Sequence, residues 1–182
     1  MQKAVLLIGG TAGTGKTTLA TSICSRLAID HRLGTGFVRE IIKSEVREQE
    51  EPCLYRFTFR AADPIQNLVD QSQRLYTAVK ACIDRARREG TSLLIEGTHL
   101  IPRIYHNEDV DMFIMLGAPE ATEHYRRITG KTHMQRSITP HDFENARQID
   151  SFLQDESRIY GVPYLVLMNN LDDIFAIIRN HI

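Results

Sequence analysis

The chain lacks tryptophan altogether, carries three cysteines in 182 residues, and has no uninterrupted apolar run longer than five residues. A helix that crosses a bilayer needs about 20 consecutive apolar residues, so no membrane-spanning helix is expected. Met1-Gln2-Lys3 runs straight into Ala4-Val5-Leu6-Leu7-Ile8 and then glycines. That apolar stretch is too short for a secretory signal, and a cytoplasmic protein is the expectation. Cys24, Cys53 and Cys82 are odd in number, widely spaced and without a CxxC pair, which argues against a disulfide framework or a zinc site. Cys24 and Cys82 fall among apolar helix positions and read as small core residues. An excess of one charge is missing too. With 22 basic and 23 acidic residues the net charge is −1, so the broad positive field of a nucleic-acid binder is absent. Lysine is scarce, with 5 against 17 arginines; arginine suits bidentate recognition of phosphate and carboxylate.

What is present is ordinary globular sequence, 42% hydrophobic and 25% charged, long enough to build one domain around its own core. No repeat or low-complexity stretch interrupts it. Short apolar runs predict strands at residues 4–8, 33–35, 92–95, 112–116 and 164–168. Helical spacing follows the first run (Leu19, Ala20, Ile23, Leu27), recurs over residues 37–49, and marks a long helix through Leu68, Leu75, Val79, Cys82, Ile83 and Ala86. Arg87-Arg88-Glu89-Gly90 supplies that helix with a basic last turn and a glycine stop. Further helices are expected at residues 119–128, about 140–160 and 171–182, and Pro52 and Pro64 bound an irregular stretch. Strands alternating with helices imply an α/β fold: a five-stranded, mostly parallel sheet with helices on both faces and ligands at the carboxyl ends of the strands.

After the first strand, Gly10-Thr11-Ala12-Gly13-Thr14-Gly15-Lys16-Thr17 satisfies G-x-x-x-x-G-K-[ST] in full. The glycines let successive backbone N–H groups converge on phosphate, and the positive end of the following helix faces the same anion. Lys16 can reach β- and γ-phosphoryl oxygens, Thr17 can offer its hydroxyl to Mg²⁺, and Thr18 extends the nucleotide-binding stretch into the helix. The motif resembles the P-loop NTPase superfamily, which implies ATP or GTP with Mg²⁺. The GTPase branch is disfavoured: no N-K-x-D is present, the nearest stretch being Asn169-Asn170-Leu171-Asp172, and no D-x-x-G follows a strand.

Leu93-Leu94-Ile95-Glu96-Gly97-Thr98-His99 puts a carboxylate at another strand end, where Glu96 can assist Mg²⁺ or take the proton of an attacking hydroxyl. His99 can bind a substrate anion or cap a turn. Residues 125–136 are rich in bases, among them Arg126, Arg127 and Arg136. They read either as a solvated face or as a mobile lid, about residues 125–139, with Arg126 on the nucleotide and Arg136 nearest the transferred phosphoryl group. On the other side, within a substrate-side insert of about residues 36–66, Arg39 is the leading candidate for an anionic acceptor. Arg56 and Arg60 interleave with Tyr55, Phe57 and Phe59 as a strand or a substrate lip.

Taken together, Ile8-Gly9-Gly10 with the phosphate loop, Val38-Arg39-Glu40, and Ile95-Glu96-Gly97-Thr98-His99-Leu100-Ile101-Pro102 resemble the archaeal 2-phosphoglycerate kinase family. A weaker match is Phe143-Glu144 with Arg147-Gln148-Ile149. The resemblance spans almost the whole chain. It implies a single small-molecule kinase domain that transfers the γ-phosphoryl group of ATP to a hydroxyl of a small phosphorylated hydroxy acid, with no nucleic acid or membrane as partner. Two departures stand out. Family members carry an N-terminal extension, whereas this chain begins at its first strand. They also tend to have Thr-Asp before Ile-Arg-Glu, where this sequence has Thr35-Gly36-Phe37-Val38-Arg39-Glu40. Both point toward the related mevalonate 3-phosphate 5-kinase branch, which implies an archaeal isoprenoid route. The alternatives are 2-phosphoglycerate itself, a nucleotide-dependent switch acting on a protein partner, or a kinase of a nucleoside or an aminoacyl-RNA.

Overall fold

A computed structural model describes residues 3–130, 137–167 and 174–175. Five strands, β1 (Val5–Gly9), β2 (His31–Gly34), β3 (Leu93–Glu96), β4 (Met112–Gly117) and β5 (Tyr164–Val166), form one sheet in the order β2-β3-β1-β4-β5. Every pairing is parallel, so the sheet is parallel throughout. Six helices join them: α1 (Lys16–Leu27), α2 (Thr35–Ser44), α3 (Pro64–Glu89), α4 (Pro102–Tyr105), α5 (Ala121–Ile128) and α6 (Pro140–Tyr160). Among the described residues no helix is long and apolar enough to cross a membrane.

Both faces of the sheet are covered, and the strands show it residue by residue. In β1, Val5 and Leu7 pack with α3 and α6, against Leu68, Leu75, Val79, Ile83, Ile149 and Leu153. Leu6 and Ile8 point the other way, to Leu19, Ala20 and Ile23 of α1 and to Ile174 and Phe175. A strand buried on both sides reads as a continuous apolar run instead of an alternating one, as Val5-Leu6-Leu7-Ile8 of β1 does. The edge strand β2 is half exposed, so only its end was legible as apolar sequence. It begins two residues before the predicted run and pairs Gly34 beside Glu96, which pairs in turn beside Ile8.

Helix ends follow local chemistry. Asp63 caps α3 by accepting from the Gln66 N–H, with Pro64 in the first turn, and Gly90 closes it in a left-handed conformation. Thr139 and Asp142 form a reciprocal capping box on α6. Helix α2 stops at Ser44, five residues short of the expectation, because the Tyr55 hydroxyl reaches the Lys43 and Val46 carbonyls and turns the chain away. The insert that follows is neither strand nor loop: Pro52–Tyr55 and Thr58–Arg60 are two 3-10 turns. Ile174 and Phe175 are helical; the rest of the expected last helix lies outside the described residues.

Candidate active site

The carboxyl ends of β1, β2 and β3 open into one cleft of about 1160 Å³, whose lining runs from Gly13, Lys16 and Thr17 at one end to Arg39, Phe57 and Phe59 at the other. The phosphate loop forms the first end. Gly10 holds φ 138°, and a Cβ there would lie 2.3 Å from the Leu116 carbonyl oxygen, so only glycine lets the loop pass β4. Gly15, left-handed at φ 95°, turns the chain into α1. Lys16 is 8% exposed; its ammonium donates to the Thr11 carbonyl at 2.5 Å and lies 3.4 Å from Thr14 Oγ1. The Thr11 hydroxyl is anchored on the Ala146 carbonyl of α6. From α5, the buried His124 donates Nε2–H to the Ala12 carbonyl at 2.7 Å. Two loop carbonyls are thus taken by protein donors and do not repel an anion in the cleft. Burial lowers the His124 pKa and keeps the ring neutral.

Glu96 ends β3 directly beside this loop. Its Oε1 accepts from the Thr17 hydroxyl at 3.1 Å and from Arg32 Nη2 at 2.9 Å, while Arg32 Nη1 holds Thr21. Among the described residues no cluster of three or more His, Cys, Asp or Glu could hold a metal alone. The Thr17–Glu96 pair does suit Mg²⁺, a hard cation that typically takes one or two protein oxygens and completes its shell with phosphate and water. Thr17 and Glu96 would hold the ion, which would neutralise phosphoryl charge.

The other end is assembled from α2, the insert and α3. Arg39 is 13% exposed in its side chain and pairs with Glu40 at 2.6 Å. Its buried Nε has no hydrogen-bond partner. Its guanidinium lies 5.3 Å from the Phe57 ring centroid, and Arg60 lies 5.3 Å from the same ring. Phe57 therefore stands between two cations. Arg60 is tied to the Ser137 carbonyl at 2.6 Å. Gly97 passes so close to Thr35 that a Cβ would meet Thr35 Oγ1 at 1.8 Å.

His99 lines the cleft, but both its ring nitrogens are engaged by protein partners. Its Nδ1 is 2.8 Å from the Thr35 hydroxyl and its Nε2 is 2.8 Å from Gln71 Oε1. Both nitrogens are spent, and desolvation, with Arg39 and Lys16 nearby, lowers its pKa to about 3. The ring braces the site as a neutral group. Of the basic segment, Arg126 and Arg127 line the cleft. Both are paired with Glu123, Arg126 through two bonds of 2.6 and 2.7 Å. Arg126 above all, with Arg127, holds the Glu123 pKa down at about 2. Arg136, and with it residues 131–136 of the expected lid, lies outside the described residues. Arg56 contributes a backbone carbonyl to Gln71 and does not line the cleft.

Sequence reasoning missed Arg32, Thr35, Gln71 and His124. Gln71 and Ser72 did carry a signal, being polar residues on the Leu68–Leu75–Val79 face of α3, where a core side chain belongs. Arg32 carried none, since an exposed residue on an edge strand is unremarkable.

No family model matches the chain. Curated relatives do. The chain is 29% identical over 175 residues to a 2-phosphoglycerate kinase of Methanocaldococcus jannaschii, covering 87% of this chain and 57% of that protein. It is 27% identical over 180 residues to the 2-phosphoglycerate kinase of Methanopyrus kandleri, covering 88% and 55%. The protein of that name from Methanothermobacter thermautotrophicus is 25% identical over 199 residues, covering 97% and 64%. The resemblance read from the motifs is therefore shared by relatives over most of this chain, while the chain spans less than two thirds of their length. Among solved structures, shikimate kinase from Acinetobacter baumannii in complex with shikimate superposes with a TM-score of 0.62 at 12% identity, covering 98% of this chain and 94% of that one. Deoxyadenosine kinase from M. mycoides with bound dATP gives 0.55 at 15% identity, covering 97% and 98%. The fold is that of the P-loop kinases.

Proposed function

We propose that the chain is an ATP- and Mg²⁺-dependent kinase whose acceptor is a hydroxyl of a small phosphorylated hydroxy acid. One observation carries this reading: a phosphate loop with its lysine, threonine and strand-end carboxylate shares a single cleft with the half-buried guanidinium of Arg39. The first set suits a nucleoside triphosphate, and the second suits an anionic acceptor. The named relatives support the same chemistry.

In this reading the loop and Lys16 hold the β- and γ-phosphates, with Thr17 and Glu96 on the metal. The acceptor oxygen attacks Pγ, the bond from Pγ to the β-bridging oxygen breaks, and ADP leaves. Glu96, the strand-end carboxylate beside the loop, serves either the metal or the acceptor proton; where it serves the metal, the acceptor proton leaves to water. Positioning and charge neutralisation supply most of the acceleration, without a covalent enzyme intermediate.

For the acceptor, mevalonate 3-phosphate is favoured over 2-phosphoglycerate. Phe57 and Phe37 line the acceptor end, and Gly36 places no carboxylate there. A longer, partly hydrocarbon acid makes better use of that surface than a three-carbon one. The test is incubation with Mg-ATP and each acid, read by mass spectrometry. A phosphorylated mevalonate 3-phosphate is expected. Product from 2-phosphoglycerate alone would reverse the preference, and ATP hydrolysis indifferent to both acids would favour the switch.

A further inference from the structure

Gln71 and Ser72 are fully buried about two turns into α3. A glutamine in such a place is destabilising unless each of its polar groups is matched. Here each is. Its Nε2 donates to the Cys53 carbonyl at 2.5 Å and to the Arg56 carbonyl at 2.8 Å, and its Oε1 lies 2.8 Å from His99 Nε2. The amide orientation is dictated by these partners, since a flipped group would set oxygen against two carbonyl oxygens. His99 must then carry its proton on Nε2 and donate it to Gln71. Its Nδ1 accepts from the Thr35 hydroxyl, which is 2.8 Å away. Ser72 completes the contact by donating to the His99 carbonyl at 2.5 Å.

Three segments meet on this one side chain. The Cys53 and Arg56 carbonyls belong to the first 3-10 turn and its end, immediately before Phe57. His99 belongs to the loop after β3. Thr35 opens α2, one helical turn before Arg39. We propose that Gln71 is the positioning residue of the acceptor end: its amide group fixes the lip that carries Phe57, and its carbonyl, through His99 and Thr35, fixes the start of the helix that carries Arg39. The functional half of this inference rests on the kinase reading; the structural half does not. The phosphate loop has its own braces, Ala146 and His124, so the two ends are held by separate residues.

The test compares wild type with Gln71→Leu and Gln71→Glu. Leucine removes every bond at similar volume. Glutamate keeps an acceptor for His99 and loses both donors to the lip. In Gln71→Leu the KM for the phosphorylated acid is expected to rise about tenfold while the KM for ATP stays within about twofold. Amide hydrogen exchange of residues 53–60 should accelerate, with residues 10–17 unchanged. Gln71→Glu should loosen the lip equally. Should Gln71→Leu fail to fold, Gln71→Glu decides the exchange of the lip, and Thr35→Val, which deletes only the hydroxyl tying His99 to α2, is judged by the two KM values, with an expected rise of about threefold for the acid. Equal shifts of both KM values, or unchanged exchange of the lip in a folded variant, would overturn the proposal. If wild type phosphorylates neither acid, the kinase reading fails, and the exchange comparison alone still decides whether Gln71 holds the lip.

Discussion

The two ends of the cleft are built in different ways. The end proposed for the nucleotide is centred on one contiguous turn, residues 10–17, running from β1 into α1; its candidate ligands are backbone amides, one lysine and one hydroxyl, and Glu96 of β3 is its contribution from a separate element. The acceptor end is drawn from four places: the start of α2 with Arg39, the insert with Phe57 and Arg60, the loop after β3, and Gln71 on α3. A backbone nest tolerates drift in the sequence around it, because the binding atoms are common to all residues. A site made from side chains on separate elements changes with each of them. The first arrangement suits a nucleotide shared by many enzymes, and the second suits an acceptor that differs from one enzyme to the next.

The largest expected difference is on chemistry. Lys16→Ala should lower kcat by about 10³-fold, since it removes a cation from the transferring phosphoryl group, while acceptor affinity and thermal stability stay near wild type. Steady-state kinetics checks this. Loss of acceptor binding in that variant would mean that the two ends are not separate. A glycine at each end then sharpens the contrast. Gly10→Ala forces a Cβ to 2.3 Å from a backbone carbonyl at φ 138°, where nothing flexible can yield. A destabilisation of about 2–5 kcal/mol and loss of ATP binding are expected. Gly97→Ala instead strikes the Thr35 side chain, Oγ1 at 1.8 Å and Cβ at 2.8 Å, where rotation moves only the hydroxyl and breaks its bond to His99. It should cost about 1–3 kcal/mol and weaken the acceptor while ATP still binds. Calorimetry on each variant with ATP and with acceptor separates the two outcomes.

The same difference decided what the sequence revealed. The eight-residue loop was legible because Gly10, Gly15, Lys16 and Thr17 meet fixed backbone, charge and hydroxyl requirements at fixed spacing. Glu96 was legible because an acid closing the apolar run Leu93-Leu94-Ile95 must sit at a strand's carboxyl end. The order of the strands was not, since β3 inserts between β2 and β1 across some 60 residues and no local pattern encodes that. Nor was the lip. Tyr55, Arg56, Phe57, Thr58 and Phe59 alternate as a strand would, but none of the five strands pairs with them. It coils into 3-10 turns held by Gln71 and by Asn145, which donates to the Phe59 carbonyl. His99 was read as an anion ligand because the sequence shows a basic residue near the site and hides the two partners that use up its ring.

Each end also holds a buried neutral histidine, and acid should act on both. The His99 pKa is lowered to about 3 from 6.5, chiefly by burial, and the His124 pKa is lowered for the same main reason. Above pH 6.5 folded and unfolded chains are alike in leaving these rings neutral, and their contribution to stability is complete. As pH falls below 6.5 the unfolded chain takes up protons that the folded one refuses, so stability declines, by at most about 1.4 kcal/mol per pH unit for each ring. Carboxylates such as Glu123, ordinarily at 4.5, contribute mainly below that value. Chemical denaturation between about pH 5.5 and 6.5 therefore weights the slope toward the histidines. His99→Gln should make the slope shallower; an unchanged slope would show that His99 titrates normally in the folded chain.

The smallest effect concerns Gly36, where the sequence departs from the pattern of the kinases it resembles. Gly36 is the second residue of α2, exposed, and a Cβ added there meets nothing within 4 Å. Its glycine is thus not required by packing. Gly36→Ala should stabilise the fold by about 0.5 kcal/mol through helix propensity and leave both substrates unaffected. Gly36→Asp gains a similar amount from an acid in the first turn, but it places a carboxylate on the cleft wall beside Arg39. If Gly36 is empty to admit a longer acid, the aspartate should raise the acceptor KM severalfold and leave the KM for ATP unchanged. An aspartate variant kinetically identical to the alanine variant would show that the acceptor does not approach Gly36, and the preference for the longer acid would then rest on Phe37 and Phe57.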